Sequence, residues 1–202
     1  NRFSTPSWPD RCSAPKAAKT GPLAAASVRT GIQARLREAA TMIVAGWADG
    51  YRNNTFRDLR FAVHYMYTHD SEVSGNISIG NHLGFAIMFS DRVVVKDNLS
   101  LGDREHGVML NFANGADVAG NLVRGGTKKC LFIYNAHKNL IFQNRFEGCG
   151  IGIHFTAGSE RNLLTGNAFL GNQEQVKYVG TRFMEWSFEG RGNFWSDHPA
   201  FD

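Results

Sequence analysis

This sequence lacks long apolar runs: no stretch approaches the roughly 18 consecutive apolar residues of a membrane-spanning helix, so we expect no membrane span. The segment after Asn1 also lacks Met, a charged region and a smooth apolar core. It therefore shows no signal peptide, and we expect the chain to be a fragment or a processed product. Long basic runs are missing too, because the 22 Lys and Arg residues are scattered, and nucleic-acid binding gets little support from the net charge of +4.

Cysteine is scarce and odd in number, since the sequence has only Cys12, Cys130 and Cys149 and no CxxC pair. These three residues define neither a disulfide framework nor a zinc site. We expect Cys130 and Cys149 to be simple core or turn residues, and we assign no role to a thiol.

The sequence does have an internal repeat, in which Asn recurs in matching surroundings every 22 or 23 residues. The repeated positions are Asn54, Asn76, Asn98, Asn121, Asn144 and Asn167. Most lie between two short runs in which apolar and polar residues alternate, as in Val95-Lys-Asp-Asn98-Leu-Ser-Leu-Gly. The units have neither a leucine skeleton nor helical periodicity. They predict an all-β fold, a right-handed parallel β-helix with coils of 22–23 residues and about three short strands per coil.

The repeated Asn has two possible explanations. Stacked coils place equivalent residues about 4.8 Å apart, so buried side-chain amides would bond along the axis as a ladder. Alternatively, Asn occupies tight turns because it tolerates the left-handed conformation. Both explanations fit the same solenoid.

A longer strand precedes each repeated Asn, and its alternation predicts two faces. The inward columns contain Val63, Phe85, Val108, Leu131 and Ile153, beside Tyr65, Ile87, Leu110, Ile133 and Phe155. The outward face carries His64, Ala86, Met109, Phe132 and His154 in one column, and Met66, Met88, Asn111 and Tyr134 in the next. Thioether and imidazole groups suit copper, and Met favours Cu(I).

We therefore predict transient Cu(I) binding by His64, Met66, Met88 and Met109. The alternative is that these Met side chains pack beneath a loop or against another protein, since Met adapts readily to interfaces. His154 lies too far along the column to join Met66 in one compact site, and we expect it to be structural or interfacial.

An enzymatic role is not expected, because the outward columns above contain no Asp, Glu, Lys or Arg. The alternative function is a carbohydrate-active β-helix enzyme of the lyase, hydrolase or epimerase type. That alternative requires a cluster of carboxylates on one sheet face for acid and base catalysis.

The ends of the chain differ from the repeat, which we assign to residues 51–175. Residues 1–50 have no repeated Asn, and three interpretations remain open. Thr30 to Ala45 would form an amphipathic cap helix, or the segment is unstructured, or it is foreign or out of frame. Residues 176–202 are rich in aromatics, and we expect them to cap the open end of the solenoid.

Several coil sequences resemble the NosD family. The resemblance is carried by His64-Tyr-Met-Tyr-Thr-His, Gly152-Ile-His-Phe-Thr-Ala-Gly-Ser-Glu-Arg-Asn and Gly192-Asn-Phe-Trp-Ser-Asp, and it covers roughly residues 51–202. It implies a periplasmic, non-enzymatic accessory protein for assembling the copper centres of nitrous oxide reductase. The implied partners are an ATP-binding-cassette transporter with NosF and NosY type subunits, a copper chaperone lipoprotein and the reductase. The family's proteins are longer, so we expect a truncated or frame-disrupted member.

Overall fold

A computed structural model describes residues 42–44, 50–126, 128–156, 158–180, 184 and 186–198. These residues contain twenty short strands and no helix. The strands are β1 (Met42–Val44), β2 (Gly50–Arg52), β3 (Thr55–Arg57), β4 (Phe61–Met66), β5 (Glu72–Ser74), β6 (Ile77–Ile79), β7 (Leu83–Met88), β8 (Val94–Lys96), β9 (Leu99–Leu101), β10 (His106–Asn111), β11 (Asp117–Ala119), β12 (Leu122–Arg124), β13 (Lys129–Tyr134), β14 (Leu140–Phe142), β15 (Arg145–Glu147), β16 (Ile151–Phe155), β17 (Leu163–Thr165), β18 (Ala168–Leu170), β19 (Glu174–Tyr178) and β20 (Phe194–Trp195). Within the described ranges, no helix is long and apolar enough to cross a membrane.

The strands form three parallel sheets that run along the solenoid. Sheet I has the order β1-β4-β7-β10-β13-β16-β19, sheet II the order β17-β14-β11-β8-β5-β2, and sheet III the order β20-β18-β15-β12-β9-β6-β3. Each complete coil contributes one strand to each sheet, and each strand pairs in parallel with its equivalent in the next coil. The predicted parallel β-helix is confirmed.

The core lies between the three sheets and consists of stacked apolar columns. The inward positions of sheet I are buried as predicted, with Val63, Val108 and Ile153 fully inaccessible to solvent. Sheet II contributes Val73, Val95, Val118, Ile141 and Leu164, and sheet III adds Phe146 and Phe169. Every coil therefore buries one face of each strand against the other two sheets.

The repeated asparagines form a continuous column of buried hydrogen bonds. From Asn54 to Asn144, the side-chain amide of each residue donates to Oδ1 of the next repeated Asn at 2.9–3.2 Å. The backbone N–H of the same residue donates to the same oxygen at 2.9–3.0 Å. The second amide hydrogen of Asn98 reaches the carbonyl of Val73 at 2.9 Å. Each interior amide thus joins its neighbouring coils and satisfies backbone groups that the turn would leave unpaired.

The two ends of the solenoid differ in part from the caps that the sequence predicts. Met42–Val44 is a strand that pairs with β4, so the cap-helix interpretation does not hold for these three residues. The rest of that predicted helix lies outside the described residues. At the other end Asn193 extends the column, since Asn167 donates to its Oδ1 at 2.9 Å. Trp195 stacks on Phe169 with ring centroids 4.4 Å apart and so covers the last coil of sheet III.

Cys130 and Cys149 form a disulfide, which corrects the expectation that neither thiol has a role. Both residues are buried, and their Cα atoms lie 5.7 Å apart, a usual disulfide separation. The bond links β13 of sheet I to the turn after β15 of sheet III. It therefore cross-links two sheets within one coil.

Replacing Asn98 by Ala is predicted to destabilise the fold by about 2–5 kcal/mol. The substitution removes the amide and leaves the N–H of Asn76 and the carbonyl of Val73 buried without these partners. Asn54→Ala at the column end is the matched control, with an expected loss of about 1 kcal/mol, because its backbone N–H keeps its bond to Asn76. Urea unfolding followed by circular dichroism measures both variants. Equal losses would contradict a column that acts through its interior members.

Removing the disulfide with the double variant Cys130→Ala, Cys149→Ala is predicted to lower the free energy of unfolding by about 3 kcal/mol. The sequence separation of 19 residues sets this value through the entropy of the unfolded chain. The comparison uses a Cys12→Ser background so that no free thiol exchanges. A loss below about 1 kcal/mol would contradict a structural role for the bond.

Candidate metal-binding face

The outer face of sheet I carries three columns of side chains rather than two. In β4, Ala62, Val63 and Tyr65 are all fully buried, so strict alternation fails at Ala62. Phe61 and His64 consequently share the outer face, and their rings stack with centroids 4.4 Å apart. The pairing register skips the second residue of each six-residue strand, so the same irregularity recurs from coil to coil.

Small residues occupy that skipped position because it lies against the core and the neighbouring coil. The residues are Ala62, Gly84, Gly107, Cys130 and Gly152. A Cβ on Gly107 would collide with the side chain of Val123, and one on Gly84 would collide with the Gly107 carbonyl. The third outward column therefore contains Phe61, Leu83, His106, Lys129, Ile151 and Glu174. Strict alternation does not predict this column, although a small residue recurs at the same place in each repeat of the sequence.

His64 and Met88 are in direct contact on this face. Nε2 of His64 lies 2.9 Å from Sδ of Met88. The contact joins two adjacent coils. His64 of β4 is the register partner of Ala86 of β7, and Met88 follows Ala86 by two residues on the same side of the sheet. Thus an imidazole and a thioether predicted as ligands already converge.

The other two predicted ligands lie around this pair. Met66 is the register partner of Met88 on the preceding coil, and both side chains are partly exposed. Met109 is the register partner of Ala86, so it lies one coil beyond Met88 in the adjacent column. The four residues therefore form a diagonal track along the face, with His64, Met66 and Met88 as its compact part.

The electrostatics of the face favour a neutral imidazole. Burial, followed by the positive charge of Arg60, lowers the pKa of His64. His64 is only 7% exposed, so packing against neighbouring side chains fixes the position of its ring. A neutral imidazole retains the lone pair that a metal ion needs.

Two further histidines on this face, His106 and His154, also pack against an aromatic ring and have lowered pKa values. The rings of His106 and His154 flank Phe132, with centroids 4.8 and 5.3 Å from it. Burial is the main cause that lowers the pKa of His106, to about 4, and it also lowers the pKa of His154. Lys129 lies over the same Phe132 ring, with Nζ 3.8 Å from the centroid. His154 is thus separated from the methionine track, consistent with its distance along the column.

An aromatic ridge borders the track on the side where the strands end. We define the aromatic ridge as Tyr67, Phe89, Phe112 and Tyr134, whose successive ring centroids lie 5.1–5.7 Å apart. Tyr67, Phe112 and Tyr134 are 38–50% exposed. Tyr67, Phe89 and Phe112 have left-handed backbone conformations, with φ of 47–54°, which bulky residues rarely adopt. The same conformation recurs at Asn135, the equivalent position of the next coil, and at other turns such as Arg92 and Lys138, so it belongs to the turn geometry of the coils.

The ligand chemistry of the face is soft. Among the described residues, no group of three or more His, Cys, Asp and Glu side chains could hold a metal ion. An ion bound at His64 and Met88 would therefore depend on thioether sulfur, which suits Cu(I) better than cations that prefer oxygen. These residue types fit a soft ion better than a hard one.

The fold and this face define a class of protein, a parallel β-helix that presents imidazole and thioether groups on one sheet. The chain belongs to the NosD family, whose model, described as periplasmic copper-binding protein (NosD), matches residues 24–200.

Two curated relatives are each named probable ABC transporter binding protein NosD. The protein of Stutzerimonas stutzeri is 43% identical over 132 residues, which cover 58% of this chain and 30% of the relative. The protein of Pseudomonas aeruginosa is 43% identical over 126 residues, covering 56% of this chain and 29% of the relative. The matched region therefore spans less than a third of either relative.

When the pH is lowered from 7 to 4, the free energy of unfolding of the wild type is predicted to fall by about 2 kcal/mol more than that of a His106→Leu variant. The native pKa of about 4 lies below the ordinary value near 6.5, so between these values only the unfolded chain binds the proton. Stability from this group is complete above about pH 6.5 and is lost as the pH falls towards 4. Leu83 occupies the equivalent position of β7, so Leu fits the column. Urea unfolding at several pH values gives the difference, and parallel curves for the two proteins would contradict it.

Proposed function

We propose that this chain is part of an accessory protein that handles Cu(I) while the copper centres of nitrous oxide reductase are assembled. His64, Met66, Met88 and Met109 serve as transient ligands. The single observation that carries this proposal is the contact of 2.9 Å between His64 Nε2 and Met88 Sδ. Membership of a family described as periplasmic and copper-binding supports the choice of metal.

The arrangement suits transfer rather than permanent storage. The ligands are neutral and distributed along a track, with His64 buried and the three Met side chains partly exposed, so each holds the ion weakly. Met66 and Met88 are register partners one strand spacing of about 4.8 Å apart, and Met109 lies diagonally beyond Met88 on the next coil. No Asp or Glu side chain lies among the described residues of the His64 and Met66 columns to anchor a metal ion by charge. An ion bound in this way can pass on to a partner that offers stronger ligands.

The partners of such a protein are an ABC transporter with NosF and NosY type subunits, a copper chaperone lipoprotein and nitrous oxide reductase. The relatives' name, ABC transporter binding protein, supports the first of these. We assign the aromatic ridge to docking of the copper-carrying chaperone. It supplies an exposed apolar contact directly beside Met66 and Met88, which precede Tyr67 and Phe89 in the chain.

A periplasmic location fits the disulfide between Cys130 and Cys149. Disulfides form and persist in oxidising compartments such as the bacterial periplasm and are rare in the cytosol. The bond thus supports the location independently of the family description.

The carbohydrate-active alternative would need several carboxylates on one face. In the described part of the outer face of sheet I, the acidic residue is Glu174, beside Lys177 in β19. No specific observation favours catalysis on sugars.

The double variant Met66→Leu, Met88→Leu is predicted to weaken Cu(I) binding at least about tenfold, because it removes two thioether ligands. Leu keeps volume and apolarity nearly constant, so the fold is retained. Anaerobic competition with a chromophoric Cu(I) chelator measures the affinity.

Met184→Leu is the matched control, because it makes the same change at a buried residue of the C-terminal segment. Its Cu(I) affinity should equal that of the wild type. Equal affinity in the double variant and the control, or no saturable binding in any protein, would reject Cu(I) handling on this face.

Phe112→Asn is predicted to weaken binding of a Cu(I)-loaded copper chaperone lipoprotein while leaving stability unchanged or slightly higher. Asn tolerates the left-handed conformation and already occupies the equivalent turn position as Asn135, with φ of 46°. Surface plasmon resonance gives the affinity, and Phe194→Asn, at an exposed residue 55% accessible in sheet III, is the control. If both variants bind the chaperone as tightly as the wild type, the aromatic ridge is not its docking surface.

A further inference from the structure

Hydrogen bonding to the backbone selects a single tautomer of His106 on the outer face of sheet I. Its Nδ1 lies 2.6 Å from the backbone carbonyl oxygen of Glu105. A carbonyl oxygen only accepts hydrogen bonds, so Nδ1 carries the hydrogen and donates it. Nε2 is then left with its lone pair, in an imidazole that is partly accessible to solvent.

This tautomer is one of the two found in metal-bound histidines, the one that ligates through Nε2. An imidazole that ligates through one nitrogen generally donates the other N–H to a carbonyl or a carboxylate, which fixes the orientation of the ring. The ring of His106 is further held by Phe132, with centroids 4.8 Å apart. The orientation is thus set before any ion binds.

Met109 is the soft partner closest to His106 on the same strand. Residues three apart share the outer face in these strands, as shown by the stacked rings of Phe61 and His64 in β4. The same spacing brings Lys129 Nζ within 3.8 Å of the Phe132 ring centroid in β13. His106 and Met109 occupy the equivalent positions of β10 in the register, so they lie side by side on the outer face.

We propose that His106 Nε2 and Met109 Sδ form a second binding position for a soft monovalent metal ion, one coil beyond the pair formed by His64 and Met88. This assignment rests on the proposed function, because it extends the same Cu(I)-handling face. Met109 then belongs to the second position rather than to the first. The two positions are linked diagonally, since Met109 is the register partner of Ala86, two residues before Met88 on β7. Phe132 separates His106 from His154, which stays outside the pair.

Ag(I), a redox-inert ion with the same preference for sulfur and nitrogen, tests this position directly. The full chain is labelled with 15N-histidine, and long-range 1H–15N spectra are recorded during an Ag(I) titration. Before addition, His106 should show protonated Nδ1 and unprotonated Nε2. On addition, the Nε2 resonance of His106 should shift, and His64 reports the first position in the same spectra.

Two conservative variants separate the positions. Met109→Leu should weaken the Ag(I) response of His106 at least about tenfold and leave the response of His64 unchanged, whereas Met88→Leu should do the reverse. A His64 response without a His106 response overturns this inference and leaves the proposed function standing. A missing response at both histidines overturns both. A free His106 protonated at Nε2, or a His106 response that is unaffected by Met109→Leu, also rejects the second position.

Discussion

The hydrogen-bonded column of asparagines is the constraint on which the other features of this solenoid depend. Each interior amide bonds the coil before it and the coil after it, so these buried hydrogen bonds fix neighbouring coils relative to each other. A shift of one residue between coils would reverse the faces of every strand. The fixed register keeps His64, Met66 and Met88 aligned on one surface although they come from different coils.

A second constraint acts inside each strand of sheet I. The small residue at the second position turns inward beside the core residue that follows it, and this creates a third column on the outer face. The extra column supplies His106 and Lys129, which change the character of the surface. A polar and aromatic half around Phe132 thus adjoins a thioether half around Met88, and Met109 lies between them.

The aromatic ridge includes residues with a strained backbone conformation. Three bulky residues adopt a left-handed turn conformation that Asn or Gly would adopt with less strain. In the next coil Asn135 occupies that turn position, and Tyr134, one residue earlier, continues the ridge. The row of aromatic rings therefore continues even where the turn residue changes.

The sequence by itself determined the solenoid, because a spacing of 22 or 23 residues and an alternation of two are local patterns that parallel pairing must follow. The same patterns put His64 and Met88 on the outer face, where the structure finds them in contact. The pairing of Cys130 with Cys149 depended on how far each turn rotates, which a separation of 19 residues does not encode. The continuation of the asparagine column at Asn193 was hidden by an interval of 26 residues that only three-dimensional stacking closes. His106 likewise required the tertiary structure, since its place on the outer face follows from an irregular strand backbone and its tautomer from a hydrogen bond to Glu105.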